Sequence, residues 1–186
     1  MKSDLFFKAY FTEISERLHE INTDILEQIA NTILGVSKSN KKIIVIGNGG
    51  SAAMASHVAV DFIKAGGIRA INFNEADLIT CLANDYGHEN WMSKAIEFYA
   101  DAHDLVILIS SSGKSPNILN AAIQAKKMGL TLVTLSGFDN ENPLRQAGDF
   151  NLWVDSKSYN VVEMTHHIWL LAILDFLIDS GQAGRK

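Results

Sequence analysis

Short apolar runs alternate with helix-like stretches through the middle of the chain. The apolar runs predict strands at about 42–47, 69–73, 105–110, 131–135 and 150–154. The stretches between them predict helices at about 51–65, 76–83, 89–100 and 116–128, with a short turn of helix near 142–147. This alternation predicts a doubly wound α/β fold, and the continuous apolar strands favour a parallel sheet covered on both faces.

The two ends of the chain are longer apolar helices. Residues 4–36 place apolar side chains three or four positions apart, and residues 161–178 are apolar almost all round. Because a small sheet cannot cover both helices, we expect burial between subunits, in a homo-oligomer with these helices at its centre. The alternative is that they pack on the two faces of the sheet. We predict a single domain, 1–186, with 1–37 as an N-terminal helical extension.

Composition and net charge argue against some classes of function. A chain of 186 residues, 47% hydrophobic, can build one sizeable core. Its net charge of −5 and pI near 5.6 argue against direct nucleic-acid binding. No apolar run approaches the roughly 18 residues of a membrane span, and the start lacks a signal-peptide core, so we expect a cytoplasmic protein without a membrane partner. Cys81 is expected to be a buried structural thiol.

Two strands run directly into loops that suit an anion. The first strand enters a glycine-rich turn formed by Gly47, Asn48, Gly49 and Gly50, which is followed by a helix. Such a turn aims backbone N–H groups at a negative ligand. The strand at 105–110 enters a serine loop before a second helix. Two such units in one chain predict a phosphorylated small molecule as the ligand.

The serine loop carries four hydroxyls at the start of a helix. They belong to Ser110, Ser111, Ser112 and Ser115. Hydroxyl donors, free N–H groups and the helix dipole together suit a phosphate dianion. The alternative for this loop alone is an N-cap and an ordinary polar turn.

Neither loop has the pattern of the common nucleotide binders. The dinucleotide fingerprint needs a third glycine three residues after Gly50, where this chain has Ala53. The P-loop needs a glycine five residues before Gly113, where this chain has Leu108. A nucleotide is therefore not the expected ligand.

Together these motifs resemble the sugar isomerase (SIS) domain. The resemblance is carried by residues 47–53, His57, Asn84 with Asp85, the serine loop through Asn117, and a final helix with a polar stripe. Within that group the chain is most similar to the phosphoheptose isomerases, which convert sedoheptulose 7-phosphate to a manno-heptose 7-phosphate. The resemblance implies a five-stranded parallel sheet and a homotetramer with sites between subunits. It also implies a role in heptose synthesis for lipopolysaccharide and other surface polysaccharides.

The resemblance assigns binding roles to residues of the two loops. It implies that the four serines form the phosphate cradle and that Asp85 binds sugar hydroxyls from the loop after the 76–83 helix. His57 matches a histidine that can ligate zinc in this family. The residues implied to line the sugar are Asn48, Gly49 and Ser51.

The catalytic positions differ from the family pattern. Aldose–ketose isomerisation needs a base at a C–H bond and an acid at the neighbouring oxygen. The family has a glutamate one helical turn after the first histidine, where this chain has Asp61. In the final helix the family has a glutamine and, eight residues later, an acid–base histidine. Those positions are Glu163 and Leu171 here, and leucine cannot transfer a proton.

A neighbouring histidine is a candidate for the vacant role. Glu163 and His167 are four residues apart and share a helix face, as His57 and Asp61 do. If the two helices face each other across a subunit boundary, they gather two imidazoles and two carboxylates. That set suits Zn²⁺ or an acid–base pair. We therefore predict Asp61, Glu163 and His167 as catalytic, and all four residues as metal ligands. The alternative is that His166 and His167 are buried structural residues.

Three functions remain open from the sequence. They are the phosphoheptose isomerase itself, an isomerase acting on another sugar phosphate, and a non-catalytic sugar-phosphate sensor or scaffold. The serine loop fits all three. Three of the four positions 61, 163, 167 and 171 are ionisable, which favours an enzyme.

Overall fold

The computed structural model, which describes residues 3–184, contains one five-stranded parallel sheet in those residues. The ends of the predicted domain, 1–2 and 185–186, lie outside the described residues. The strand order is β2-β1-β3-β4-β5, and every neighbouring pair is parallel. The strands are β1 (Ile43–Gly47), β2 (Ala70–Ile71), β3 (Leu105–Ser110), β4 (Thr131–Gly137) and β5 (Phe150–Val154).

Helices cover both faces of the sheet, which confirms the doubly wound fold. They are α1 (Ser3–His19), α2 (Thr23–Lys38), α3 (Gly50–Lys64), α4 (Ala76–Tyr86), α5 (Trp91–Tyr99), α6 (Pro116–Lys127), α7 (Pro143–Ala147) and α8 (Tyr159–Asp179). Alternate strand residues point to opposite faces. Ile43 and Val45 join a core with α2, α3 and α8, while Ile44 and Ile46 join one with α5 and α6.

The predicted helix over 4–36 is in fact two helices. The chain breaks between His19 and Thr23, and Asn22 caps the second helix by accepting a hydrogen bond from the backbone N–H of Asp24 at 2.9 Å. Asparagine is a strong N-cap because its side-chain oxygen satisfies a free N–H of the first turn. The apolar spacing continues across the break, so the periodicity alone did not reveal it.

The first and last helices differ in how far they are buried. Helix α8 buries one face along most of its length against the sheet, α1, α2 and α3, while Met164, Ile168 and Phe176 of the same helix are exposed. By length and composition α8 would pass as a membrane span, but half of that window is buried inside the fold, as in a core helix. Helix α1 buries no residue. Its exposed large apolar side chains are Leu5, Phe6, Phe7 and Phe11.

Three further predictions were wrong in detail. Strand β2 is limited to Ala70–Ile71, because the chain leaves the sheet on both sides of those residues. Helix α4 continues to Tyr86, so Asp85 lies in its last turn and not in the following loop. Cys81 is exposed, because α4 buries only Leu82 and turns its thiol outward.

Candidate active site

The two predicted anion loops lie side by side at the carboxyl edge of the sheet. β1 and β3 are neighbours, and the connections from these two strands run in opposite directions along the sheet. Ligands of doubly wound folds bind at this switch point. A pocket of about 100 Å³ opens there. It is lined by Asn48, Ser51, Ile109, Ser110, Ser111, Ser112, Ser115, Tyr159 and Glu163. The structure therefore brings together the four serines, Asn48 of the glycine-rich turn, Ser51 at the start of α3, and Glu163.

The glycine loop depends on close backbone packing. A side chain at Gly47 would meet backbone atoms of Ser51 at 2.6 to 2.7 Å, so the loop can fold back only with glycine there. Gly49 has a φ of +53°, in the left-handed region that glycine adopts without strain. These two positions let α3 begin directly beside the pocket, although Gly49 itself is absent from the lining.

The serine loop is held in a tight turn. Gly113 has a φ of +63°, and its N–H donates to the carbonyl of Ser110 at 3.0 Å. The hydroxyls of Ser110 and Ser115 hydrogen-bond at 3.3 Å, and the Lys114 N–H donates to the Ser112 hydroxyl at 3.3 Å. Pro116 then starts α6, where its missing N–H costs nothing. The turn presents the start of α6 to the pocket.

The hydroxyl of Ser111 is the exception within this loop. Its oxygen is buried, lines the pocket and has no hydrogen-bond partner among residues 3–184. Leaving a buried polar atom unpaired costs about 1–3 kcal/mol, so such atoms are uncommon. A phosphate oxygen in the pocket would supply the missing partner.

Ser111→Ala is expected to separate ligand binding from stability. It removes an unpaired buried hydroxyl, so the free energy of unfolding should be unchanged or higher than in the wild type. It also removes a donor to a charged ligand, so the Kd for inorganic phosphate should rise about tenfold or more. Calorimetric titration with phosphate and chemical denaturation measure the two effects. A lower stability with unchanged phosphate binding would contradict this role.

A reciprocal amide pair joins the two loops. The Asn48 amide donates to the Asn117 oxygen, and the Asn117 amide donates to the Asn48 oxygen, both at 3.0 Å. Asn117 is buried, and the pair fixes the spacing of the two loops. No separate role was predicted for Asn117, and the place of Tyr159 in the pocket lining was not predicted. A polar residue in the otherwise apolar first turn of α6 was the available signal for Asn117.

Glu163 reaches the pocket from α8. Its carboxyl group packs against Gly50 at the start of α3, where an added Cβ would lie 2.9 Å from the carboxyl carbon. The residue is half-buried, and this burial raises the pKa of its carboxyl group above the ordinary value. A carboxylate with a raised pKa at the edge of a phosphate-sized pocket is suited to general-base work.

The other predicted acid–base residues lie close together but outside the pocket lining. His57 Nε2 is 3.1 Å from Asp61 Oδ2, and the rings of His57 and His167 meet edge to face with centroids 4.8 Å apart. Helices α3 and α8 make this contact within one chain, so no subunit boundary is needed to bring these side chains together. The pKa of His167 is lowered, first by burial and then by the neighbouring His57. His167 lies one helical turn beyond Glu163 on α8.

The zinc ligands predicted from the sequence are not arranged around one ion. The Nε2 atom of His57 contacts the carboxyl group of Asp61, and the carboxyl group of Glu163 packs against Gly50. Within residues 3–184, no group of three or more His, Cys, Asp or Glu side chains is placed to hold a metal. The four side chains therefore do not fit zinc in this arrangement.

Asp85 also lies outside the pocket. It is exposed and accepts a hydrogen bond from the Asn84 amide at 2.9 Å. A second cavity of about 350 Å³ adjoins the first and shares Asn48 and Ser115 with it. The remaining residues that line this cavity are His88, Glu89, Pro116 and Asn117.

His166 is a structural residue behind the site. It is fully buried and forms a hydrogen bond between its Nε2 and the carbonyl of Ser136 at 3.0 Å, while its Nδ1 has no partner in the described part of the chain. Burial lowers its pKa to about 4, so the folded protein keeps this ring neutral. This agrees with the alternative given above for His166.

Stability should fall in acid because of His166. Its pKa is lower in the folded than in the unfolded chain, so its contribution is complete above about pH 6.5 and is lost as the pH falls towards 4. The loss should approach roughly 3 kcal/mol. Denaturation curves between pH 7 and 4 measure it. His166→Gln, which does not titrate, should show a shallower slope, and equal slopes would contradict the assignment.

The fold and the pocket define a doubly wound α/β protein with paired glycine-rich and serine-rich loops at the switch point of its sheet. The model of the SIS domain matches residues 7–137, and the chain belongs to that family. It is similar to the phosphoheptose isomerase of Fusobacterium nucleatum, at 34% identity over 80% of this chain and 79% of the relative. For the phosphoheptose isomerase of Sulfurimonas denitrificans, the identity is 35% over 83% of each chain. The structure of phosphoheptose isomerase from Neisseria gonorrhoeae superimposes with a TM-score of 0.84 at 25% identity, covering 95% of this chain and 98% of that one.

Proposed function

We propose that the protein is an aldose–ketose isomerase that converts sedoheptulose 7-phosphate to D-glycero-D-manno-heptose 7-phosphate for surface-polysaccharide synthesis. Its curated relatives are phosphoheptose isomerases over most of the chain. One structural observation carries the proposal. An unpaired buried hydroxyl donor, Ser111, and a carboxyl group of raised pKa, Glu163, line the same pocket.

The serine loop holds the phosphate in this proposal. The hydroxyls of the loop donate to phosphate oxygens, and the N-terminus of α6 adds its positive dipole end. Because the phosphate is on C7 and the reaction takes place at C1 and C2, the sugar must extend from the loop past Glu163. In this proposal His167, one turn further along α8, meets the C1–C2 end of the sugar.

Glu163 and His167 divide the proton transfers. The Glu163 carboxylate takes a proton from C1 of the ketose, an enediol forms, and the same carboxyl group returns the proton to C2. His167 transfers the proton between the neighbouring oxygens, which is the role that Leu171 cannot fill. Asp61 holds His57 through their 3.1 Å contact, and His57 in turn packs against the ring of His167.

Incubation of the purified protein with sedoheptulose 7-phosphate tests the proposal. Aldoheptose formation is followed by NMR, with and without added Zn²⁺, and the thermal midpoint is recorded in parallel. Turnover that His167→Ala abolishes would support the isomerase with its relocated acid–base residue. Turnover only with Zn²⁺ would contradict a reaction carried out by Glu163 and His167 without a metal. No turnover and no ligand-dependent stabilisation would overturn this substrate.

A sugar-phosphate sensor is the second candidate. Leu171 packs partly buried against the core, which leaves the family's histidine position without a proton donor. A sensor would keep the phosphate pocket and report its ligand to a partner protein. Stabilisation by sedoheptulose 7-phosphate without turnover is the result that would favour it.

We also propose a cytoplasmic homo-oligomer, with a tetramer as the working form. The exposed aromatic side chains of α1, Phe6, Phe7 and Phe11, support association of this helix with another copy. Light scattering of the wild type and of a Phe7→Glu, Phe11→Glu variant tests this. The wild type should have the mass of four chains, and the variant a smaller mass.

A further inference from the structure

The last residues of β4, the first residues of α7 and the segment between them, residues 136–144, form a brace that packs against the serine loop. The Gly137 N–H donates to the carbonyl of Ser111 at 2.9 Å, and the Leu144 N–H donates to the carbonyl of Gly113 at 3.2 Å. Lys114 forms an ion pair with Asp139 at 3.0 Å. The backbone of the serine loop therefore takes its shape partly from residues outside the loop.

Asn142 is the fully buried centre of this brace. Its amide nitrogen donates to the Ser136 hydroxyl at 3.2 Å, to the Gly137 carbonyl at 3.2 Å and to the Asp139 carbonyl at 2.7 Å. Its amide oxygen accepts from the Arg145 N–H at 2.9 Å and caps α7. Every polar atom of the side chain is used.

The same amide also sets the position of Gly113. The Asn142 side chain packs so closely against Gly113 that an added Cβ there would overlap its amide oxygen and carbon. Gly113 has a φ of +63° and lies between Ser112 and Ser115, which both line the phosphate pocket. A shift of the Asn142 amide would therefore move the turn that carries the hydroxyls.

We propose that Asn142 is a positioning residue for phosphate binding, an inference that rests on the proposed sugar-phosphate site. It does not line the pocket. It acts through Gly113 and Gly137, and so fixes the backbone on which the Ser111 hydroxyl and the neighbouring N–H groups point at the phosphate.

The two roles of the side chain can be separated. An N-cap needs only an acceptor oxygen, which aspartate and serine also provide. The brace needs the amide N–H groups, which neither has. Asn142→Asp keeps the shape and the cap and replaces the amide donors with a carboxylate oxygen, while the smaller Asn142→Ser keeps an acceptor for the cap and loses both amide N–H groups without adding a charge. Asn22→Ala is a matched control, because it removes the cap of α2 far from the loop.

Titration with inorganic phosphate and steady-state kinetics test the inference. Both Asn142 variants should raise the Kd for phosphate and the KM for sugar phosphate about tenfold, with kcat within twofold of the wild type. Asn22→Ala should lower the thermal midpoint without changing either constant. Wild-type phosphate affinity in whichever Asn142 variant folds would overturn the inference.

Phosphate binding also separates this inference from the proposed reaction. If the wild type binds phosphate but turns over no sugar, the proposed isomerase activity fails, and the Asn142 variants still report on the brace. If the wild type does not bind phosphate, both the proposed phosphate cradle and the proposed role of Asn142 are wrong.

Discussion

Glu163→Gln is expected to lower kcat for sugar-phosphate isomerisation by about 10²- to 10⁴-fold, the usual contribution of a general base. The substitution keeps the size of the side chain and removes only its ability to take a proton. KM should change little, because the phosphate is held by the serine loop and not by this carboxyl group. NMR of sedoheptulose 7-phosphate at saturating concentration measures the effect.

The pH profile gives a second readout of the same group. A base works when deprotonated, and burial raises the pKa of Glu163. The wild-type kcat should therefore rise with pH through a value above that of an ordinary glutamate, and Glu163→Gln should lack this limb. Glu27→Gln, an exposed carboxyl group on α2, is the control and should leave the profile unchanged.

An unchanged kcat in Glu163→Gln would contradict the role of Glu163 as a base. This outcome is informative because the family's residue at this position is glutamine. If Glu163→Gln retains the wild-type kcat, Glu163 serves as a polar contact, as glutamine can, and the base must be another group. Asp61, which holds the family's glutamate position, would then be tested first through Asp61→Asn.

The sheet was predictable because its signals are local. The runs at 43–47 and 105–110 consist of consecutive apolar residues, which indicates strands buried on both faces. Their alternation with helices indicates the doubly wound order. The ends of helices depend on single residues. Asn22 divides the N-terminal helix, and Gly87, with a φ of +84°, ends α4 three residues later than predicted.

The parts of the site that depend on local sequence were predictable in the same way as the strands. The two loops follow directly from their strands, and Glu163 and His167 share a helix face by spacing alone. The sequence does not specify that α3 packs on α8 within one chain, that Asn48 pairs with Asn117, or that Asn142 braces Gly113. These contacts join residues distant in sequence, so no local pattern of the chain encodes them.

Gly50→Ala is expected to reduce kcat about 10- to 100-fold by displacing the carboxyl group of Glu163. The added methyl would overlap one oxygen of Glu163 and lie 2.9 Å from its carboxyl carbon, so the carboxyl group must move away. A displacement of about 1 Å can cost 10²-fold in rate. NMR turnover assays and thermal midpoints measure activity and stability separately.

Gly35→Ala is a matched control, because it makes the same chemical change inside α2, where an added Cβ meets nothing within 4 Å. It should raise the free energy of unfolding by about 0.5–1 kcal/mol and leave kcat unchanged. The effect of Gly50→Ala should disappear in the Glu163→Gln background, because both changes act on one group. If Gly50→Ala lowers kcat in the Glu163→Gln background as much as in the wild type, Gly50 affects the site independently of Glu163, for example through the backbone of the glycine loop.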